Sequence, residues 1–172
     1  MVFQVQMNLV DLPKALKGDA SQEIIREELV KATAENLIDL RNSFSKGSPT
    51  GLGILRNSWI IEKPKAKGKF VIGNVSSSVV QALIVDQGAR PHFPPVSGVG
   101  GGESALAPWI RRKLGVSDPD EIEQIAFKIS RKFKKSGIKK RRIFSNIFKK
   151  KTPSIAARLE VAKERIIKRL SE

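Results

Sequence analysis

The chain has no cysteine and no tyrosine, and its only histidine is His92. The lack of cysteine excludes a disulfide framework and a thiolate-ligated zinc or iron–sulfur site. A single histidine leaves little room for a metal site or a histidine-based catalytic relay. No apolar stretch approaches the roughly 20 residues of a membrane span, and the N-terminus lacks the basic start and apolar core of a signal peptide. We therefore expect a protein of cytoplasmic origin that contacts no membrane, has no cofactor or metal, and is not an enzyme.

Positive charge is in excess and unevenly distributed. The 172 residues include 32 lysines and arginines against 17 acidic residues, a formal net charge of +15. Residues 1–107 hold 12 basic and 10 acidic side chains, whereas residues 108–172 hold 20 and 7. From Lys128 to Lys151 there are 12 basic residues and no acidic one. Such an excess indicates an anionic partner or an extended basic face and carries no information about the fold.

The pattern of apolar residues predicts an α+β body. Helical spacing from Asp19 to Lys46 predicts one long helix that ends in a left-handed cap at Gly47. Residues 54–61 alternate as a strand, and residues 70–74 form its return strand after a lysine-rich turn. Residues 79–86 fit either a strand or a short helix, and we favour the helix. The predicted architecture is a long N-terminal helix packed on a small antiparallel sheet, followed by a helical C-terminal part.

Two apolar stripes define the expected core of this body. Leu55 and Trp59 alternate on one face of the predicted strand, and Leu29 and Leu37 lie on the apolar face of the long helix. Because stripes of period 2 and period 3.6 must bury against another surface, we expect these four side chains to pack together. Trp59 is accordingly predicted to be a core residue.

The second part of the chain is predicted to be helical and strongly basic. Three helices are expected, at residues 105–114, at 118–136, where Asp118 is the cap and Gly137 the stop, and from Thr152 to about Leu170. We divide the chain into an α+β body at residues 1–115 and a basic helical extension at residues 116–172. The acidic residues around Asp118 suit the positive end of a helix dipole better than they suit a metal site.

Two sets of residues are candidates for an interaction site. One is a loop with three prolines and four glycines, which cannot hold a regular ladder and is long for a compact domain. Its candidate interface residues are Pro91, His92, Phe93, Pro94, Pro95, Gly100 and Gly101. The other is a basic cluster that would meet phosphates or acidic protein faces. Its members, which we call the basic surface, are Arg131, Lys132, Lys134, Lys135, Lys139, Lys140, Arg141, Arg142, Lys149, Lys150 and Lys151.

The middle of the chain resembles the tail-completion (neck, head–tail joining) proteins of long-tailed bacteriophages, a tail-component family. The resemblance spans roughly residues 20–115 and depends on the order of four short segments that follow the long helix. They are a Thr-Gly-x-Leu-Arg-x-Ser-type entry at residues 50–58, a glycine-bearing strand at 70–74, a Tyr-Ala-x-x-Val-Glu-x-Gly-Thr-like segment at 81–89 and a proline-containing loop at 90–95. Gln81, Asp86 and Ala89 stand where the family has tyrosine, glutamate and threonine.

The resemblance implies a structural virion protein without catalytic residues. It implies a homo-oligomeric ring, a hexamer, at the head–tail junction, with the head connector or adaptor on one side and tail terminator or tube proteins on the other. Genomic DNA passing through the ring would be a further partner, contacted at its phosphates. The alternative from composition alone is a basic protein that binds nucleic acid without sequence specificity and acts on its own.

Overall fold

A three-stranded antiparallel sheet and six helices make up the part of the chain that the computed structural model describes, residues 1–8, 19–49, 53–67, 70–92 and 106–171. The α+β class and the long N-terminal helix expected from the sequence are confirmed. The preference for a short helix near residues 79–86 is also confirmed. The elements are β1 (Val2–Asn8), α1 (Asp19–Gly47), α2 (Ile54–Asn57), β2 (Trp59–Lys67), β3 (Phe70–Ser77), α3 (Val80–Gln87), α4 (Ala107–Leu114), α5 (Pro119–Ser136) and α6 (Ile143–Ser171).

The sheet has the strand order β1-β3-β2, so β3 is central. The β2–β3 hairpin is irregular between Glu62 and Lys65, where its register shifts. Helix α1 covers the face of the sheet to which Val71 and Val75 point. Gly73 lies between these two valines, and a Cβ there would come within 2.5 Å of the Leu37 side chain. The glycine of the return strand therefore allows α1 to approach the sheet closely.

Helix α6 packs along α1 and completes the body. Ala162 and Ile166 of α6 are buried against Ile25 and Leu29 of α1. At one end of this contact, Arg169 donates to Glu28 (2.7 Å) and to Glu27 (3.1 Å), and these hydrogen bonds raise the pKa of Arg169. At the other end, Lys151 and Arg158 both reach the carboxylate of Asp39, at 3.0 and 3.3 Å.

Gly47 has a different role from the predicted one. It lies in the last turn of α1 without a positive φ, so the expected left-handed cap is wrong. A Cβ at this position would come within 2.5 Å of Ile147 Cδ1 on α6. Glycine is therefore required by the close approach of two helices and not by the turn that ends one of them.

The predicted strand at residues 54–61 is wrong in its first half, because residues 54–57 form the single helical turn α2. Gly53, at φ 78°, starts this turn, and Ser58 Oγ donates to Leu55 O (2.8 Å) at its end. Leu55 and Trp59 nevertheless share a core with Leu37, as expected. Leu29 is buried too, but it packs in a second cluster with α6.

The last helix begins about ten residues earlier than predicted, at Ile143, and continues through Pro153. A proline inside a helix removes one backbone hydrogen bond and costs about 3 kcal/mol. Tertiary packing offsets this cost, since Phe144 before the proline and Ile155 after it are both buried in the main core. Within the described residues, no helix is long and apolar enough to cross a membrane. The domain boundary at residue 115 stays a prediction.

Candidate functional site

The basic surface lies on three consecutive pieces of the chain: the end of α5, the loop at residues 137–142 and the second and third turns of α6. Ten of its eleven members are exposed. Lys151 is the exception, because its Nζ is 3.0 Å from both carboxylate oxygens of Asp39, which ties α6 to α1. Lys151 therefore belongs to the framework, and the other ten cations form the candidate site.

Helix α5 carries cations along one face and core residues along another. Lys128, Arg131, Lys132 and Lys135 follow the spacing i, i+3, i+4, i+7 and are all exposed. The buried residues of α5 are Ile122, Ala126 and Ser130. Like charges three or four positions apart destabilise a helix by about 0.2–0.5 kcal/mol per pair. Repulsion within the stripe thus opposes the stabilisation that cations near the C-terminus of α5 gain from the helix dipole.

Reversing one charge of this stripe is therefore expected to stabilise the protein. Lys132→Glu converts the repulsions with Lys128 and Lys135 into attractions, which should contribute about 0.8–2 kcal/mol. An acid near the C-terminal end of α5 opposes the helix dipole and costs about 0.3–1 kcal/mol. The free energy of unfolding in urea titrations should therefore rise by about 0.5–1 kcal/mol. Lys168→Glu is the matched control on α6, where the reversal replaces the attraction to Glu164 by repulsion and the repulsion from Arg165 by attraction. Because these two changes oppose each other, that variant should not gain stability. A loss of stability in Lys132→Glu would contradict this account of the stripe.

The loop at residues 137–142, which we call the basic loop, is held by its backbone. Ala89 and Ile138 exchange two hydrogen bonds, each of 2.9 Å. Arg142 N donates to Asp86 O (2.9 Å), so the loop is fastened to the end of α3 and to the residues that follow it. The side chains from Lys139 to Arg142 remain exposed. The fold thus presents four adjacent cations on a fixed backbone.

Two glycines make this backbone contact possible. Gly88 (φ 77°) and Gly137 (φ 62°) both occupy the left-handed region, which side chains rarely adopt. A Cβ at Gly88 would overlap Ile138 O, and a Cβ at Gly137 would overlap Ala89 O. Gly137 also ends α5, because its N–H donates to Phe133 O (2.9 Å). The predicted stop of α5 is confirmed, and the same glycine fastens the basic loop.

Asp86 fixes the far end of the basic loop. Its side chain, only 1% exposed, caps the N-terminus of α6 from the neighbouring helix α3. Oδ1 accepts from Phe144 N (2.7 Å) and Ser145 N (3.1 Å), and Oδ2 accepts from Ser145 Oγ. A carboxylate here satisfies backbone N–H groups that lack helical partners and opposes the positive end of the helix dipole. It also offsets the repulsion that this positive end exerts on Arg141 and Arg142.

The Asp86 contact was not among the site residues predicted from sequence. Periodicity predicts only that residue 86 lies near the end of a short helix. The one available signal is the resemblance, whose motif has an acid at this position and a glycine two residues later. Here these two positions are Asp86 and Gly88, and both hold the basic loop.

The other predicted site residues are only partly described. Pro91 and His92 are exposed, and His92 Nδ1 lies 2.8 Å from Arg90 O. Phe93, Pro94, Pro95, Gly100 and Gly101 lie outside the described residues. The acid at the start of α5 acts as the predicted cap, since its carboxylate accepts from Glu121 N at 2.9 Å. Over the described ranges, no group of three or more acidic or histidine side chains could hold a metal ion.

The chemistry available at the candidate site is that of a cationic surface. Lysine and arginine side chains on a fixed backbone can contact phosphates or carboxylates, and phosphate contacts alone position a nucleic acid without reading its bases. On this surface Arg131 Cζ lies 6.0 Å from the centre of the Phe127 ring. Comparison with known proteins finds no matching family model, no similar curated protein and no similar solved structure.

Proposed function

We propose that the chain is a structural subunit of the virion of a long-tailed bacteriophage. In this proposal it is a tail-completion (neck) protein that assembles into a hexameric ring and joins the head connector to the tail tube. The ring, the partners and the position at the head–tail junction follow from the resemblance. No enzymatic activity is part of the proposal.

One observation carries the proposal: residues of a segment that carries the resemblance hold the basic loop in place. The Asp86 carboxylate caps α6 where the loop ends, and Gly88 leaves room for the loop backbone where it begins. Gly73, in the motif of the return strand, sets the distance between the sheet and α1. Each of these three motif positions has a structural role in the arrangement of helix, hairpin and loop. We expect proteins of a family that shares this arrangement to need the same residue types there.

The basic loop is suited to electrostatic contacts that do not depend on base sequence. A genome that passes through a neck must slide, so any contact with it has to be insensitive to base sequence. Phosphate contacts meet this requirement, and they weaken steeply as the salt concentration rises. Acidic faces of neighbouring ring or connector proteins would use the same cations, with complementary charge directing the association.

The second candidate function is a nucleic-acid-binding protein that acts alone. It is favoured by the exposed cations on α5, which add to the basic loop in a segment, Lys128 to Lys151, whose sequence contains no acidic residue. A protein of this class would bind DNA tightly as a monomer or dimer, with a strong dependence on salt. A neck protein would instead enter rings or bind connector and tail proteins.

Charge reversal in the basic loop separates these possibilities. The test variant is Lys139→Glu, Lys140→Glu and Arg141→Glu combined. Arg142 is left unchanged because it has a positive φ of 52° at the start of α6, so its substitution could disturb folding. The control reverses three exposed lysines at a different place, Lys63, Lys65 and Lys67 of β2.

We expect the basic-loop variant to fold, as judged by circular dichroism, and to fail in joining heads to tails. The assay is complementation for infectious particles in a phage that lacks its own copy of the chain, and the control variant should complement. Full infectivity from the basic-loop variant would contradict the proposed role of the loop. Tight, salt-sensitive DNA binding by a wild-type monomer, without any effect on particle joining, would favour the second function.

A further inference from the structure

The strand β1 lies at one edge of the sheet in the part of the chain that the structure describes. On its inner side β1 pairs with β3, and no described residue pairs with the outer edge. Met1 and Ser77 exchange two backbone hydrogen bonds, of 2.9 and 3.0 Å. Because hydrogen-bonded and non-hydrogen-bonded pairs alternate along an antiparallel ladder, this pair determines which residues of β1 bond to β3. Val2, Gln4 and Gln6 are therefore among the non-hydrogen-bonded positions towards β3. Their N–H and C=O groups point away from the sheet.

The opposite edge of the sheet is protected in the ways typical of soluble proteins. The strand β2 contains Pro64, a register shift between Glu62 and Lys65, and exposed lysines. Proline, bulges and lysine are the usual devices that keep an edge strand from pairing with another chain. The strand β1 has a regular ladder over all seven residues and contains no proline, no lysine and no ionisable side chain. An edge of this kind is a template for strand addition.

The lack of charged side chains in β1 makes a second copy of the same strand a suitable partner for its outer edge. When a strand pairs with a second copy of itself, identical side chains come close together across the two-fold axis. Like charges that face each other across strands are destabilising. Val2, Gln4 and Gln6 avoid this repulsion, and the two glutamines can form amide hydrogen bonds across the axis.

We infer that β1 pairs antiparallel with β1 of a second copy of this chain, forming a continuous six-stranded sheet across a two-fold axis. Such an isologous contact closes after two copies. It does not rest on the proposed ring, which requires head-to-tail contacts. If the protein is otherwise a single chain in solution, pairing through β1 gives a dimer. If it forms rings, pairing through β1 joins two rings.

A charge-exchange experiment tests this inference. One variant carries Gln4→Lys with Gln6→Lys, and the other carries Gln4→Glu with Gln6→Glu. Both positions are exposed, and their backbone groups do not bond to β3, so each variant should keep the circular dichroism spectrum and urea midpoint of the wild type. Masses are measured by sedimentation equilibrium at tens of micromolar protein for the wild type, for each variant alone and for an equimolar mixture of the variants.

The expected wild-type mass is twice that of its assembling unit, which is twice 19.0 kDa if the unit is one chain. Each variant alone should show half the wild-type mass, because like charges meet across the axis. The equimolar mixture should recover the wild-type mass. A wild-type monomer of 19.0 kDa, or a variant that keeps the full wild-type mass, would overturn the inference. A mixture that does not recover would also overturn it, because β1 would then not face a second β1. Loss of the two-fold contact without loss of particle joining would leave the proposed function standing.

Discussion

Replacing Trp59 with alanine is expected to lower the free energy of unfolding by about 3–5 kcal/mol. The side chain is 3% exposed, and its ring centre lies 4.8 Å from that of Phe44 and 4.7 Å from that of Phe144. Its Nε1 donates to Ser48 Oγ (3.0 Å), and Ser48 Oγ donates in turn to Phe44 O (2.8 Å). The substitution therefore opens a cavity where α1, the sheet and α6 meet, and it removes a buried hydrogen bond.

Urea titration followed by circular dichroism measures this loss. Trp109→Ala is the matched control, because Trp109 is 38% exposed on α4 and its truncation should cost less than about 1 kcal/mol by comparison with buried aromatics. Similar losses in the two variants would contradict the assignment of Trp59 to the centre of the core.

The second large effect is expected from Asp86→Ala. The variant leaves the N–H groups of Phe144 and Ser145 without their acceptor, and a buried donor left unpaired costs about 1–3 kcal/mol. We expect a total loss of about 2–4 kcal/mol, since the carboxylate also opposes the helix dipole and the bonds to it are charge-assisted. Asp118→Ala, which removes the exposed cap of α5, should cost only about 0.5–2 kcal/mol.

Asp86→Ala should also loosen the basic loop while leaving its cations in place. Without urea, hydrogen exchange at residues 138–145 should be faster in the variant than in the wild type. Protection of the amides in α1 should change less. Affinity for any anionic partner should fall, although the net charge becomes more positive. Unchanged exchange in this segment would show that the backbone bonds between Ala89 and Ile138 are sufficient to hold the loop.

Local signals in the sequence were sufficient for the elements whose ends are set by their own residues. The long helix α1 follows from its apolar spacing, and α5 follows from the Asp118 cap and the Gly137 stop. One expectation failed for a local reason, because residues 54–57 form a helical turn that starts at Gly53 and not the first half of a strand. Two others failed because they concern features fixed by distant residues. Gly47 is required by Ile147, and α6 continues through Pro153 because residues on both sides of the proline are buried against the rest of the core.

The same division applies to the candidate site. The density of cations in residues 128–151 predicts an exposed basic surface, and ten of the predicted side chains are exposed. Lys151 could not be separated from them, since its partner Asp39 lies 112 residues earlier in the chain. The cap that Asp86 forms spans 58 residues and crosses from α3 to α6, so no local pattern identifies it.

Electron microscopy of particles assembled without this chain tests the proposed joining of heads to tails. The coding region of the chain is deleted from the phage genome that carries it. The deleted phage is grown with and without the wild-type protein supplied from a plasmid, and the lysates are examined by negative staining. We expect filled heads and complete tails that remain separate without the protein, and joined particles when it is supplied. Joined particles of normal appearance without the protein would contradict the proposed role in joining heads to tails.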